Sequence, residues 1–185
     1  MITILLQGGL GNQLFQLYAY ISFCMDTRDK IIIPRKKMDK YSQQGHLRDT
    51  YWDTLFNRLQ IFLDDTDQIY RLPYYKEPYF HHHPLIKYDD VPDYKFKGYF
   101  QSWKYFDKYY YKINKIIGIE NKKVEIKNKY TQYNDKLISI HFRIGDYKNI
   151  QDSHPLLCNQ YYFNAIDFLI KKTNNQNLTF LIFYE

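Results

Sequence analysis

Cysteine is nearly absent from these 185 residues. Cys24 and Cys158 are the only two, each in an apolar context and far apart in the chain. That excludes a disulfide scaffold and a paired-cysteine metal site, and makes a reducing compartment the default. Long apolar runs are missing as well. Nothing approaches the ~20 apolar residues that span a bilayer, and the first apolar run is broken by Gln7 and glycines and has no basic leader, unlike a signal peptide. The expectation is a cytoplasmic protein with no membrane span. A basic stripe is also lacking. The net charge is +6, but the lysines are scattered singly between Tyr and Asn, so no nucleic-acid partner is expected. The interleaved YFQSWKYFDKYYYK fits a packed amphipathic segment at least as well as a base-stacking platform.

Aromatic residues are what the chain has in excess: 19%, carried by 21 Tyr and 13 Phe. With the abundant Lys, Asn and Ile they read as the product of AT-rich coding, so tyrosine by itself marks no site. Hydrophobic residues at 45% and charged residues at 25% give an ordinary globular balance with a packed core. The length suits one ordinary domain or two small ones.

The chain opens MITILLQGGLGNQLF. Ile2, Ile4, Leu5 and Leu6 predict a buried strand, and three glycines then permit a tight turn and close backbone approach. From Asn12 onward Leu14, Phe15, Leu17, Tyr18, Ile21 and Phe23 fall near helical spacing. Strand, glycine turn and helix N-terminus form a frequent phosphate or polar-ligand site, because first-turn amides point outward. A dinucleotide fingerprint lacks its third glycine, where Leu14 stands, and its acidic residue, where Pro34 and Arg35 stand. A turn that merely needs glycine is the alternative. Asn12 and Gln13 add two amides at the helix mouth, suited to a neutral polyhydroxy ligand.

KIIIP places a second strand at Ile31 to Ile33, completing a predicted parallel βαβ unit. RDTYWDTLFNRLQIF predicts a helix capped by Asp49 or Thr50. RLPYYKEPYFHHHPLIKYDDVPDYKF, with four prolines, predicts loop with brief extended pieces. KGYFQSWKYFDKYYYKINKII predicts an extended stretch turning into a helix capped by Ser102. LISIHFRI, NQYYFNAIDFLIKK and LTFLIFYE then predict strand, helix and strand, a second βαβ. The expected division is 1–135 and 136–185.

HFRIGDY, residues 141 to 147, sits at the carboxyl end of a predicted parallel strand, where open α/β sheets bind ligands. His141 and Arg143 share one strand face, opposite Phe142 and Ile144. Arg143 can grip a phosphate through a bidentate fork. Gly145 allows a sharp turn, and Asp146 can orient the arginine, cap the loop or form a structural ion pair with Arg143. HHHP at 81–84 reads as an exposed loop, since consecutive histidines alternate in direction and no Cys or spaced carboxylate completes a metal site. Asp64-Asp65 and Asp89-Asp90 read as caps or loop charges, with no Asp-x-Asp arrangement for a divalent ion.

With these motifs on the page, the chain resembles glycosyltransferase family 11, the α-1,2-fucosyltransferases. GGLGNQLFQLYAY is similar to the family's amino-terminal signature, and HFRIGDY to its His-x-Arg-x-Gly-Asp-Tyr donor-binding motif. GYFQSWKYF and HPLLCNQYYFNAI are similar to the family's Gly-Tyr-x-Gln-Ser and His-Pro-x-Leu with Tyr-Tyr, in the right order. The resemblance implies an α/β fold, a GT-B-like pair of Rossmann-type βαβ halves with the active site in the cleft between them. It implies inverting transfer of L-fucose from GDP-β-L-fucose to a galactose hydroxyl of a glycan, with no cofactor and no metal. Arg143 then meets the charge that develops on the departing diphosphate. His141, Gly145 and Asp146 shape the donor pocket, and Gly9, Gly11 and Asn12 approach the diphosphate or sugar from the other half. Family members continue past the strand resembling LTFLIFYE with Ser-Asp-Asp and a Ser-Thr-Phe-Ser-Trp-Trp type segment, where this chain has Tyr184 and Glu185. The expectation is therefore an incomplete second half and impaired activity, with self-association or a second chain completing it. The alternative is a non-catalytic remnant that binds a sugar nucleotide, a glycan or a partner protein.

Overall fold

The computed structural model describes residues 1–36, 50–87, 91–131, 137–152 and 154–184, in two compact units, Met1–Glu125 and Ile126–Glu185. The expected division between 135 and 136 falls outside the described residues. Helices mixed with small parallel sheets make the chain α/β.

The first unit begins with a buried strand β1 (Ile2–Ile4), then the glycine turn and helix α1 (Leu10–Thr27). Every residue from 16 to 24 is buried, Leu17, Tyr20, Ile21 and Cys24 among them, so the middle of α1 is enclosed on all its faces. Tyr20 and Phe23 meet Phe96 at 6.4 and 5.0 Å between ring centroids. There follow β2 (Ile33–Pro34), β3 (Leu63–Asp64), α2 (Asp67–Arg71), β4 (Tyr74–Lys76) and β5 (Tyr94–Lys97). Among the described residues all pairings are parallel: β5 lies between β1 and β4, and β2 pairs with β3.

The expected partner of β1 is thus corrected, from the Ile31–Ile33 segment to β5. Side-chain hydroxyls stand where ladder bonds between β1 and that segment would be. Buried Tyr20 donates to the Ile2 carbonyl at 2.9 Å and accepts from the Ile32 N–H at 3.0 Å. Thr3 Oγ1 donates to the Ile32 carbonyl at 2.6 Å. Burial pushes the Tyr20 phenol well above its usual pKa, so it stays a donor.

RDTYWDTLFNRLQIF forms turns and a 3₁₀ helix, Asn57–Phe62, instead of an α-helix; Asp49 is outside the described residues. Trp52, Phe56 and Leu59 keep helical spacing and are buried. Tyr51, however, is left-handed at φ 55°, and the Trp52 indole donates to the Arg35 carbonyl at 2.9 Å, so tertiary anchoring overrides the helical pattern. The proline-rich stretch yields the two brief strands β4 and β5, as expected. HHHP is irregular, with His81 and Pro84 exposed and His82 and His83 half-buried. His82 and His83 pack on the Tyr105 ring, and His83 Nδ1 lies 3.0 Å from the Tyr105 hydroxyl. Asp64 accepts from the Thr66 N–H and Asp65 pairs with Arg35, loop roles as expected; Asp89 and Asp90 are outside the described residues.

Ser102 precedes two 3₁₀ turns, Trp103–Tyr105 and Asp107–Tyr109, before α3 (Tyr110–Ile117) begins. Helix α4 (Ile119–Lys129) was not predicted. It lacks an apolar stripe and carries instead Glu120–Lys123 and Lys122–Glu125 pairs one turn apart.

In the second unit β6 (Leu137–Phe142), α5 (Asn159–Thr173) and β7 (Thr179–Tyr184) make the expected βαβ. The strands are parallel and in contact from Leu137 opposite Thr179 to Phe142 opposite Tyr184. Phe142 meets Tyr162 of α5 at 4.5 Å. Among the described residues, none in these three elements is fully buried.

Candidate functional site

In the first unit the glycine turn is braced by amides. Gln16 pairs with the Gln7 backbone in both directions, accepting its N–H at 2.9 Å and donating to its carbonyl at 3.0 Å. Gln13 is buried and donates to the Gly8 carbonyl at 3.0 Å. Gln13 therefore holds the turn, correcting its expected place at the helix mouth. The glycines also divide. Gly8 has φ 76°, and a Cβ there would lie 2.5 Å from Asn12 Nδ2, so the turn requires glycine at this position. Gly9 and Gly11 are exposed, with nothing within 4 Å of a Cβ; they leave the first turn of α1 open.

Asn12, by contrast, is at the mouth. Gln101 Nε2 donates to its Oδ1 at 2.6 Å, joining the first motif to GYFQSWKYF across 89 residues of chain. Gln101 is presented by a turn that Glu77 clasps from the end of β4. The Glu77 carboxylate accepts the Tyr99 N–H at 2.7 Å and the Phe100 N–H at 3.0 Å. A Cβ on Gly98 would come within 2.3 Å of Glu77 Cβ, so the carboxylate reaches the turn only over a glycine. Phe100 is left-handed at φ 51°, which lets its amide and that of Tyr99 converge on one acceptor. Glu77 has no local signal in the sequence, since its partners lie 22 and 23 residues away.

Beside Gly11 lies a cavity of about 270 Å³, lined by Gly11, Leu14, Phe15, Tyr18, Phe106 and Tyr110 among others. Phe15 and Tyr18 meet Phe106 at 6.0 and 5.0 Å. The Tyr18 hydroxyl donates to Asn114 Oδ1. Burial, with Tyr110 and Glu120 nearby, pushes that phenol up to about 12.

In the second unit His141 is exposed, on the same strand face as exposed Ser139. Arg143 follows the end of β6, also exposed. Its guanidinium lies over the Tyr147 ring at 5.1 Å, and Tyr147 stacks on His154 at 4.8 Å and 15°. A 3₁₀ turn, Asp146–Asn149, with Gly145 before it, brings Tyr147 under the arginine, a cation–π arrangement that orients the guanidinium plane. HFRIGDY and the His-Pro of HPLL are thereby one cluster, with Tyr147 and His154 the members that sequence reading left without a role. The Asp146 side chain lies outside the described residues. A cavity of about 240 Å³ between β6 and α5 is lined by His141, Leu157, Tyr161, Tyr162 and Phe180 among others.

The chain shows no match to any family model, curated protein or solved structure against which it was compared.

Proposed function

We propose that this chain is an α-1,2-fucosyltransferase-type protein of glycosyltransferase family 11, taking L-fucose from GDP-β-L-fucose to a galactose hydroxyl with inversion. The observation that carries the reading is the meeting of its separate motifs. Asn12 of GGLGNQ bonds Gln101 of GYFQS, while Arg143 and Tyr147 of HFRIGDY stack with His154 of HPLL. Asn12 and Gln101 are 89 residues apart in sequence yet paired in space, as a shared binding role requires. In this reading the two units are the Rossmann-type halves of a GT-B-like enzyme working in the cytoplasm.

Arg143 takes the diphosphate. Departure of GDP builds negative charge there, and a fixed guanidinium stabilises it without a metal ion. Tyr147 holds the guanidinium plane, His141 and Gly145 shape the donor pocket beside it, and Asn12 addresses a sugar hydroxyl with its amide.

Calorimetric titration with GDP tests the assignment. Arg143→Ala forfeits a charge-assisted fork of at least about 2 kcal/mol, roughly a 30-fold loss of affinity. Arg143→Lys recovers part of it, because a point charge does not reproduce the fork. Unchanged GDP affinity in the alanine variant refutes the role of Arg143, and a wild-type chain that binds neither GDP nor GDP-fucose refutes the function.

A further inference from the structure

We infer that the first unit carries a site for one phosphate monoester group, made by Lys76 and Lys97 at the ends of β4 and β5. These lysines belong to a different unit from Arg143, and the site does not depend on the fucosyl-transfer reading.

The strand ladder places the two lysines. Tyr74 stands opposite Lys95 and Lys76 opposite Lys97 in the parallel β4–β5 pair. Side chains two apart in a strand share a face, so one tyrosine and three lysines occupy a single face of the sheet. Lys95 is held inside it. It is buried, its ammonium donates to the Tyr70 carbonyl at 2.5 Å, and it lies 4.5 Å from the centre of the Tyr74 ring. Lys97 Nζ is 4.9 Å from the same ring, and among the described residues its three N–H donors have no acceptor. Lys76 is exposed, and its ammonium has none either. Both are the last residues of their strands, the end at which open parallel sheets bind ligands.

Like charges set directly opposite one another destabilise a sheet. Among the described residues no carboxylate pairs with Lys76, Lys95 or Lys97. Glu77 follows Lys76 in the chain, but its carboxylate is turned to the Tyr99 and Phe100 amides. The Tyr74 ring face offsets part of the Lys97 charge and keeps that ammonium in place. What the pair lacks is an anion between its members. A phosphate monoester carries about −1.5 to −2 at neutral pH, a charge that two ammoniums match, whereas a carboxylate leaves one of them unmatched. Lysine binds phosphate as a point charge and needs no planar fork. A local conflict retained in a fold is expected where a ligand resolves it.

The full chain, with labelled lysine side chains, is titrated by NMR with inorganic phosphate, glucose 6-phosphate, acetate and GDP, chloride holding the ionic strength constant. Phosphate is expected to shift the Lys76 and Lys97 Cε signals saturably and to raise the melting midpoint, with acetate at least about tenfold weaker. Tighter binding of the sugar phosphate names an ester as the source; equal or weaker binding names the free ion. Lys76→Gln and Lys97→Gln should each weaken phosphate about tenfold. Without phosphate each should leave the melting midpoint unchanged or raised, because the opposed charges are relieved, whereas a merely structural lysine would lower it. Arg143→Ala should leave phosphate binding unchanged. No saturable shift, acetate as tight as phosphate, or full affinity in either glutamine variant overturns the site. GDP displacing phosphate from these lysines also overturns it, since they would then belong to a nucleotide site. Phosphate binding in a chain that fails to bind GDP upholds the site and overturns the GDP-sugar reading instead.

Discussion

Replacing Glu77 should loosen the turn that carries Gln101, and the structure sets the size of the effect. Oε2 accepts the Tyr99 and Phe100 amides at 2.7 and 3.0 Å, and Oε1 adds a longer bond to Phe100 at 3.1 Å. Each charge-assisted bond contributes about 1.5 kcal/mol at the low end appropriate to a half-buried group, so Glu77→Ala loses about 3 kcal/mol. Phe100 relaxing from its left-handed conformation returns about 1 kcal/mol. The net loss is about 2 kcal/mol, a fall in midpoint of roughly 4–8 °C for a chain of this size. Glu77→Gln keeps one carbonyl oxygen where Oε2 was but sets an NH₂ against the Phe100 N–H. It should fall between the two, near 1 kcal/mol by the ordinary worth of a neutral bond. Urea denaturation followed by circular dichroism measures both, with an unchanged denaturant slope showing that stability alone has moved. An alanine variant within about 0.5 kcal/mol of wild type, the scatter of neutral surface changes, would refute the clasp. A glutamine variant as weak as alanine would show that charge carries it entirely.

Tyr20→Phe leaves the Ile32 N–H without its acceptor and the Ile2 carbonyl without its donor, and should cost about 2–3 kcal/mol of unfolding free energy; a loss below about 0.5 kcal/mol would show that the hydroxyl does not join the strands. Burial pushes the Cys24 thiol up to about 12, while Cys158 is exposed; a thiol reagent at neutral pH should titrate one group in the native chain and two in guanidinium. Lys108, hydrogen-bonded to Asp26, holds that carboxyl below its usual pKa. The stability this adds is present above the unfolded carboxylate pKa and lost as pH falls through the folded one. Asp26→Asn should therefore flatten the acid limb of stability against pH, more so at low salt, and an identical limb in the variant would count against the pair.

What the sequence made legible followed from local pattern. Period and length sufficed for β1, α1, β6, α5 and β7, because each has its own apolar spacing and a glycine, proline or polar stop. A helical connection did not by itself settle pairing. β6 and β7 are joined by α5 and do pair, whereas β1 takes β5, 90 residues on, because Tyr20 and Thr3 place hydroxyls where the nearer segment would bond. Helix α4 was missed because charge pairs support it and no stripe marks it. Residues 51–62 were misread because Tyr51 takes a left-handed turn that a helical apolar spacing does not reveal.

The site divides in the same way. The open positions of Asn12 and Arg143 were legible because glycines beside them announce turns and exposed backbone. Glu77 was not, since a glutamate before a proline carries no signal until the turn it clasps is seen. Its place has a chemical consequence for the neighbouring amides. The concavity at Tyr99 and Phe100 is filled by the chain's own carboxylate, whereas the first turn of α1 at Gly9 and Gly11 is left open. The guanidinium of Arg143, in the second unit, is a fixed positive charge beside a strand end. On the proposed reading, Arg143 of the second unit meets the diphosphate through a charged fork, and Asn12 of the first offers an amide to a sugar hydroxyl.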